Sequence, residues 1–295
     1  MKLHLLAGMV LAFAVSGVAW AQEKTPEDYF RDGNAAFTEG AYEKSIGLYQ
    51  KAVSGKDDFK EAWYNLGAAY GQTRQYDKEV NCYRKALQLD PTYARAHYNL
   101  ALSLEDSGKF DEALAEYRET LKAEPEALDA LVNTGILLSR MEKLDESIET
   151  YQKALALDDG VPDIHYNLGI VYGKKAKVAE DAAARDELLK KEVAEYQKAL
   201  EIRPTFYKAC YNLALAHNRA GNLDGEIAAY EQALAIRRNY PEALYNLAYA
   251  WEEKGDVGKA VEYWKQYVEV ASKYESEKPF VEIAQKELAR LEGKQ

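Results

Sequence analysis

The chain has 295 residues, 47% of them apolar and 29% charged, and its 38 lysines and arginines against 49 acids leave a net charge of −11. Such a chain repels phosphate backbones, which argues against nucleic acid as a partner. Two cysteines and four histidines exclude a disulfide-dense scaffold and leave little for a metal site, and 23 tyrosines against 7 prolines and 18 glycines argue against collagen-like or disordered chains.

The first element in chain order is an address. Lys2 precedes an apolar run from Leu5 to Val18, and Ala19-Trp20-Ala21 places small side chains where a signal peptidase reads them. Residues 1–21 are therefore expected to be a signal peptide, cleaved between Ala21 and Gln22, which places the mature chain in the periplasm or outside the cell. The alternative is an uncleaved membrane anchor, but a comfortable span needs about 20 apolar residues and this run is shorter.

From residue 26 onwards the chain is periodic. Tyr49, Tyr83, Tyr117, Tyr151, Tyr196, Tyr230 and Trp264 recur every 34 residues, with one gap of 45 between Tyr151 and Tyr196. Asn65, Asn99, Asn133, Asn167, Asn212 and Asn246 repeat the pattern with the same long gap in the same place. The periodicity predicts seven units: 26–59, 60–93, 94–127, 128–161, 162–206 with an 11-residue insertion, 207–240 and 241–274.

Each unit reads as two helices. In the second, Trp63, Leu66, Gly67 and Tyr70 form one apolar stripe, Gln75-Tyr76-Asp77 marks a turn, and Val80, Tyr83, Ala86 and Leu87 form a second stripe ended by Asp90-Pro91. Gly40, Gly108, Gly221 and Gly255 stand just past the first helix of four other units, where a left-handed cap favours glycine. The eighth residue of the units is Gly33, Gly67, Ala101, Gly135, Gly169, Ala214 and Ala248. Glycine inside a helix costs about 1 kcal/mol relative to alanine. Its presence predicts a close helix crossing, with the large aromatic of the same unit filling the adjoining groove.

Trp63-x2-Leu66-Gly67-x2-Tyr70, followed by Tyr83, Ala86 and Pro91, resembles the tetratricopeptide repeat signature. The resemblance covers the chain except its two ends. It implies an all-α fold, a right-handed α-solenoid of about seven antiparallel helix pairs, and a general protein-binding role. Some positions depart from the pattern. Glu79, Glu192 and Glu226 replace the preferred alanine and are expected to loosen packing within their pairs. Asp32 replaces leucine before Gly33, and Tyr267 replaces alanine in the last unit.

The insertion, between Tyr172 and Tyr196, is rich in lysine, alanine and glutamate and has no proline; about three added turns predict a hairpin over 174–191 that projects from the stack. Residues 275–295 are expected to hold a capping helix from Lys278 to Leu291, with Phe280, Ala284, Leu288 and Leu291 on its buried face. No arrangement of residues resembles a catalytic site, and no cofactor or metal is expected. The carboxylates are expected on solvent faces, and Cys82 and Cys210 as separate buried thiols.

The resemblance places the first helices on a concave face. There the fifth and sixth residues of the units supply the candidate partner-binding set: Tyr64, Asn65, Tyr98, Asn99, Asn133, Tyr166, Asn167, Tyr211, Asn212, Tyr245 and Asn246. An amide both donates and accepts, so a ladder of asparagines suits an extended peptide backbone, although tyrosine and asparagine here also fit inter-repeat packing. The second residues, Glu27, Glu61, Asp129, Asp163 and Glu242 against Arg95 and Lys208, make that rim acidic and point to a neutral or basic protein or peptide. The basic clamp with which chaperone-binding members hold a C-terminal carboxylate is not reproduced, since Asn99 stands at one of its positions. The expected function is a non-catalytic protein-interaction scaffold outside the cytoplasm. The alternatives are a self-assembling homo-oligomeric scaffold and, if the leader stays uncleaved, a membrane-tethered organiser of an envelope or secretion complex.

Overall fold

The computed structural model describes residues 23–293; the expected signal peptide and its cleavage site lie outside them. Among the described residues there are fifteen α-helices, one short 3-10 turn and no strand. They fall into two compact units, one ending at Asp90 and the other beginning at Pro91. The first holds α1 (Pro26–Thr38), α2 (Tyr42–Gly55), α3 (Lys60–Gln72) and α4 (Tyr76–Leu89). The second holds α5 (Ala94–Asp106), α6 (Phe110–Ala123), α7 (Leu128–Arg140), α8 (Leu144–Leu157), α9 (Pro162–Val178), α10 (Ala182–Ile202), α11 (Tyr207–Arg219), α12 (Leu223–Ile236), α13 (Pro241–Glu253), α14 (Val257–Ala271) and α15 (Lys278–Glu292).

The helices start where local chemistry favours it. Thr25 and Asp28 form a capping box ahead of Pro26, and proline opens α9 and α13, where its missing N–H costs nothing. First helices end on a left-handed residue: Gly40, Gly108, Gly221 and Gly255 have φ between 68° and 84°. In the other two ordinary pairs of this kind, Arg74 and Glu142 occupy the same conformation at φ 59° and 56°. A side chain there is strained by roughly 1–2 kcal/mol. Arg74→Gly is therefore expected to raise stability by about 0.5–1 kcal/mol after the glycine's extra unfolded-state entropy is deducted, read as a higher urea midpoint. Glu142→Gly should gain less, because it also removes the exposed ion pair between Glu142 and Lys174.

The core is the meeting of small and large residues that the period implies. Tyr49, Tyr83, Tyr117, Tyr151, Tyr196, Tyr230 and Trp264 are all at most 2% exposed. A Cβ built on Gly33, Gly67, Gly135 or Gly169 would lie 2.6–2.8 Å from the nearest atom of Tyr49, Tyr83, Tyr151 or Tyr196 respectively. Helix and ring are in direct contact, with no volume for a side chain between them.

Three expectations are corrected. Glu192 and Glu226 are buried rather than solvated, and the carboxylates do not loosen their pairs. Gly71 faces Glu79 and Gly173 faces Glu192 closely enough that a Cβ would fall 2.8 and 2.5 Å from a carboxylate oxygen, so the glycine vacates the space the acid occupies. In the sixth repeat Asn218 donates to Glu226 at 2.9 Å instead. Arg219 pairs with Glu192, whose pKa is nonetheless raised because burial outweighs the guanidinium. In α15 the buried face is Val281, Ala284 and Leu291, whereas Phe280 is 48% exposed; the apolar period starts one residue later than expected.

The insertion lengthens both helices of the fifth repeat. α9 has 17 residues against 13 in the other first helices, and α10 has 21 against 14 in most second helices. Residues 180–187 are exposed, so this hairpin projects beyond the neighbouring pairs of its unit. Cys82 and Cys210 are free, and burial pushes their thiols up to about 12 and about 11, which leaves them as unreactive core residues.

Candidate functional site

Within each unit the second helix of a pair packs against the first helix of the next, as α2 does on α3 and α8 on α9. First helices of successive pairs also touch, α1 with α3 and α7 with α9, whereas no two second helices approach as closely. First helices therefore line the inner curve of each unit, and their half-exposed side chains form the candidate site.

All eleven tyrosines and asparagines singled out from the sequence are half-buried on this surface. The asparagines are committed internally to a large extent. Asn133 donates to the Tyr98 hydroxyl at 2.8 Å, Asn212 to Tyr166 at 3.1 Å and Asn246 to Tyr211 at 3.2 Å. Each amide thus stitches a repeat to the tyrosine of the repeat before it. In the first unit Asn65 donates to Asn34 Oδ1 at 2.7 Å, and the same oxygen accepts from the Tyr49 hydroxyl at 2.7 Å. Asn167 differs. The preceding repeat has Val132 in place of tyrosine, and Asn167 makes no side-chain hydrogen bond among the described residues. A spacing of 34 signals a repeated role but does not distinguish a ligand contact from a bond to the previous repeat.

The residues beside them were not singled out from the sequence. The ninth residue of each unit is Leu102, Ile136, Ile170, Leu215 and Tyr249 in the second compact unit; the four aliphatic side chains are half-buried and Tyr249 is exposed. With the side chains at the fifth positions they form a partly exposed apolar row on this face, and Ile136, Ile170 and Leu215 also rest against the core. The signal was the 34-residue recurrence of large apolar residues one turn beyond the tyrosines. In the first compact unit the same surface holds a cavity of about 380 Å³ lined by Asn34, Phe37, Thr38, Tyr49, Tyr64, Asn65 and Ala68. Among the described residues Asn34 Nδ2 and Asn65 Oδ1 are not used in protein hydrogen bonds, so the wall offers one donor and one acceptor.

The acidic rim is partly neutralised. Glu27 pairs with Lys56 at 2.9 Å and Asp163 with Arg203 at 2.5 Å, both exposed pairs at the repeat edge. His97 and His165 serve packing. His97 bridges Glu116 at 2.5 Å and the Pro91 carbonyl at 3.0 Å, and His165 bridges Glu195 at 2.6 Å and the Asp159 carbonyl at 3.1 Å, each locking a first helix to its partner helix and to the turn before it. No group of three or more histidines, cysteines, aspartates or glutamates among the described residues could hold a metal ion. No helix among them is long and apolar enough to cross a membrane.

Tetratricopeptide repeat models match residues 98–162, 193–241 and 242–273, and a TPR repeat model matches residues 75–108. Together these spans cover more than half of the chain. No curated protein matches it in sequence. Among solved structures, MamA is 25% identical over 59% of this chain and 95% of its own, with a TM-score of 0.54. The C-terminal part of a TPR repeat-containing protein from Cytophaga hutchinsonii is 17% identical over 84% of this chain and 97% of its own, with a TM-score of 0.70. YrrB, a TPR protein with an unusual peptide-binding site, is 18% identical over 67% of this chain and 96% of its own, with a TM-score of 0.58.

Proposed function

This chain belongs to the tetratricopeptide repeat family, a fold of protein-interaction scaffolds, and we propose that it is a non-catalytic scaffold acting outside the cytoplasm. Its first-helix surface takes a neutral to basic segment of a partner protein. The observation that carries this reading is the half-exposed strip of Leu102, Ile136, Ile170 and Leu215 beside tyrosines that are anchored by asparagine. An apolar strip repeated at this spacing on one face supplies anchor points for a peptide or helix. The peptide-binding site of YrrB supports the same reading by likeness of fold.

The hydrogen bonds narrow the ladder. Amides already donating to tyrosines offer a ligand their carbonyl oxygens, and Asn167 offers its N–H groups as well. Placement outside the cytoplasm is supported by Lys2, the Leu5–Val18 run and Ala19-Trp20-Ala21. The test is capture of partners from the extracytoplasmic fraction by the mature chain, compared with an Ile136→Ser/Ile170→Ser/Asn167→Ala variant. Loss of the wild-type partners by about tenfold or more is expected, at two truncated anchors of roughly 1 kcal/mol each. An unchanged partner set overturns the surface assignment. A purified chain that begins at Met1 rather than Gln22 overturns the location.

A further inference from the structure

We propose that the last repeat and the helix closing the stack carry a distinct anchoring point for an arginine side chain of the bound partner. The inference rests on the first-helix surface being the ligand-binding face, and it adds a chemistry that the rest of that face lacks.

Tyr245 and Tyr249 stand at the fifth and ninth positions of α13, in line with the strip. Tyr245 meets Tyr249 edge-on at 5.2 Å and 66°, and meets Phe280 of α15 at 5.9 Å and 83°. Tyr249 is 40% exposed and Phe280 48% exposed, while Trp264 and Tyr267 behind them are fully buried. Tyr249 also meets Trp264 edge-on at 4.7 Å, so the two outer rings rest on a closed core and keep part of their surface in solvent at the end of the strip. Helix α15 presents Phe280 outwards because Val281, one residue on, fills the core.

The surroundings are acidic. Glu252 and Glu287 lie close enough to raise the Tyr249 pKa further, after burial and the neighbouring Tyr245 hydroxyl have raised it. The Tyr267 hydroxyl donates to Glu277 at 3.0 Å and also feels Glu242. Among the nearby cations, Arg290 pairs with Glu252 and Glu287, and Lys278 at the start of α15 pairs with Glu275. Glu252 Oε2 is buried with no hydrogen-bond partner among the described residues, a carboxylate oxygen short of a donor.

Partly exposed aromatic rings beside carboxylates attract a cation, and a purely apolar anchor would not answer the acids. Guanidinium suits the arrangement better than ammonium, because its flat face stacks on a ring while its edge N–H groups serve a carboxylate. This end of the groove therefore selects arginine, whereas the strip before it selects apolar side chains.

The test uses the full mature chain and two capped tripeptides, acetyl-Gly-Arg-Gly-amide and its citrulline counterpart, which keeps the shape and removes the charge. Titration followed by amide NMR shifts should place both near Tyr249 and Phe280, with the arginine peptide binding about fivefold tighter. A Tyr249→Ala/Phe280→Ala variant with an unchanged circular dichroism spectrum should lose that preference. Equal affinity for the two peptides overturns the proposal, as does a preference that survives in the variant. Either result leaves partner capture by Ile136, Ile170 and Asn167 as a separate question, so failure here and failure of the wider surface are distinguishable.

Discussion

Tyr196→Ala loses about 3–5 kcal/mol of stability relative to the wild type in urea denaturation of the mature chain, the range expected when a fully buried aromatic is truncated in a rigid core. Tyr196 is 2% exposed, rests against Gly169 on its own pair's first helix, and lies 5.9 Å from Tyr166. Truncation opens a cavity bounded by two helix backbones, which cannot collapse onto it without moving whole helices. Tyr196→Phe is the control. It keeps the ring and removes one hydroxyl, so it costs about 1 kcal/mol. If Tyr196→Ala were no worse than Tyr196→Phe, ring packing would not be what holds the pair together.

Gly169→Leu approaches that effect from the other side. A Cβ at Gly169 would already lie 2.7 Å from Cε1 of Tyr196, and a leucine adds three more carbons. Overpacking of this kind costs typically 1–3 kcal/mol, and contact with a rigid ring between two helices places this case at about 3 kcal/mol. Gly169→Ala is expected to be much milder. Ala101, Ala214 and Ala248 occupy the same position in three repeats and are all fully buried, so the pair can widen enough for one methyl, and alanine recovers about 1 kcal/mol of helix propensity. The double variant Gly169→Leu/Tyr196→Ala should be less unstable than the sum of its parts, because the leucine fills space the ring has left. Strict additivity in the measured midpoints would mean that the two residues do not share one volume.

The helix pairs were legible because their signals are local. Each glycine or alanine and its aromatic lie 16 residues apart in an ordinary unit, and the left-handed cap and the proline stops fall inside one unit. The 11-residue insertion was legible too, since adding turns to both helices preserves the phase of each apolar stripe. The site was legible only in part. Tyr98 and Asn133 are 35 residues apart and Tyr166 and Asn212 are 46 apart; their sequence positions fit a ligand contact and inter-repeat packing equally, and the structure shows the hydrogen bonds between repeats. The ninth-position residues recur in the sequence with the same period, but an apolar residue on a helix reads there equally as core or as surface.

Period, composition and the small-against-large pairing by themselves determined the helices, their order and their grouping into tetratricopeptide pairs, because those properties depend on spacings within one turn or one unit. The tertiary structure alone decided that Glu192 is buried opposite Gly173, that Phe280 rather than Val281 faces solvent, and that Asn133, Asn212 and Asn246 bond to the tyrosine of the preceding repeat. Those outcomes depend on which side chain from a neighbouring repeat reaches a given polar atom, a matter of ångströms between helices that no spacing along one chain encodes.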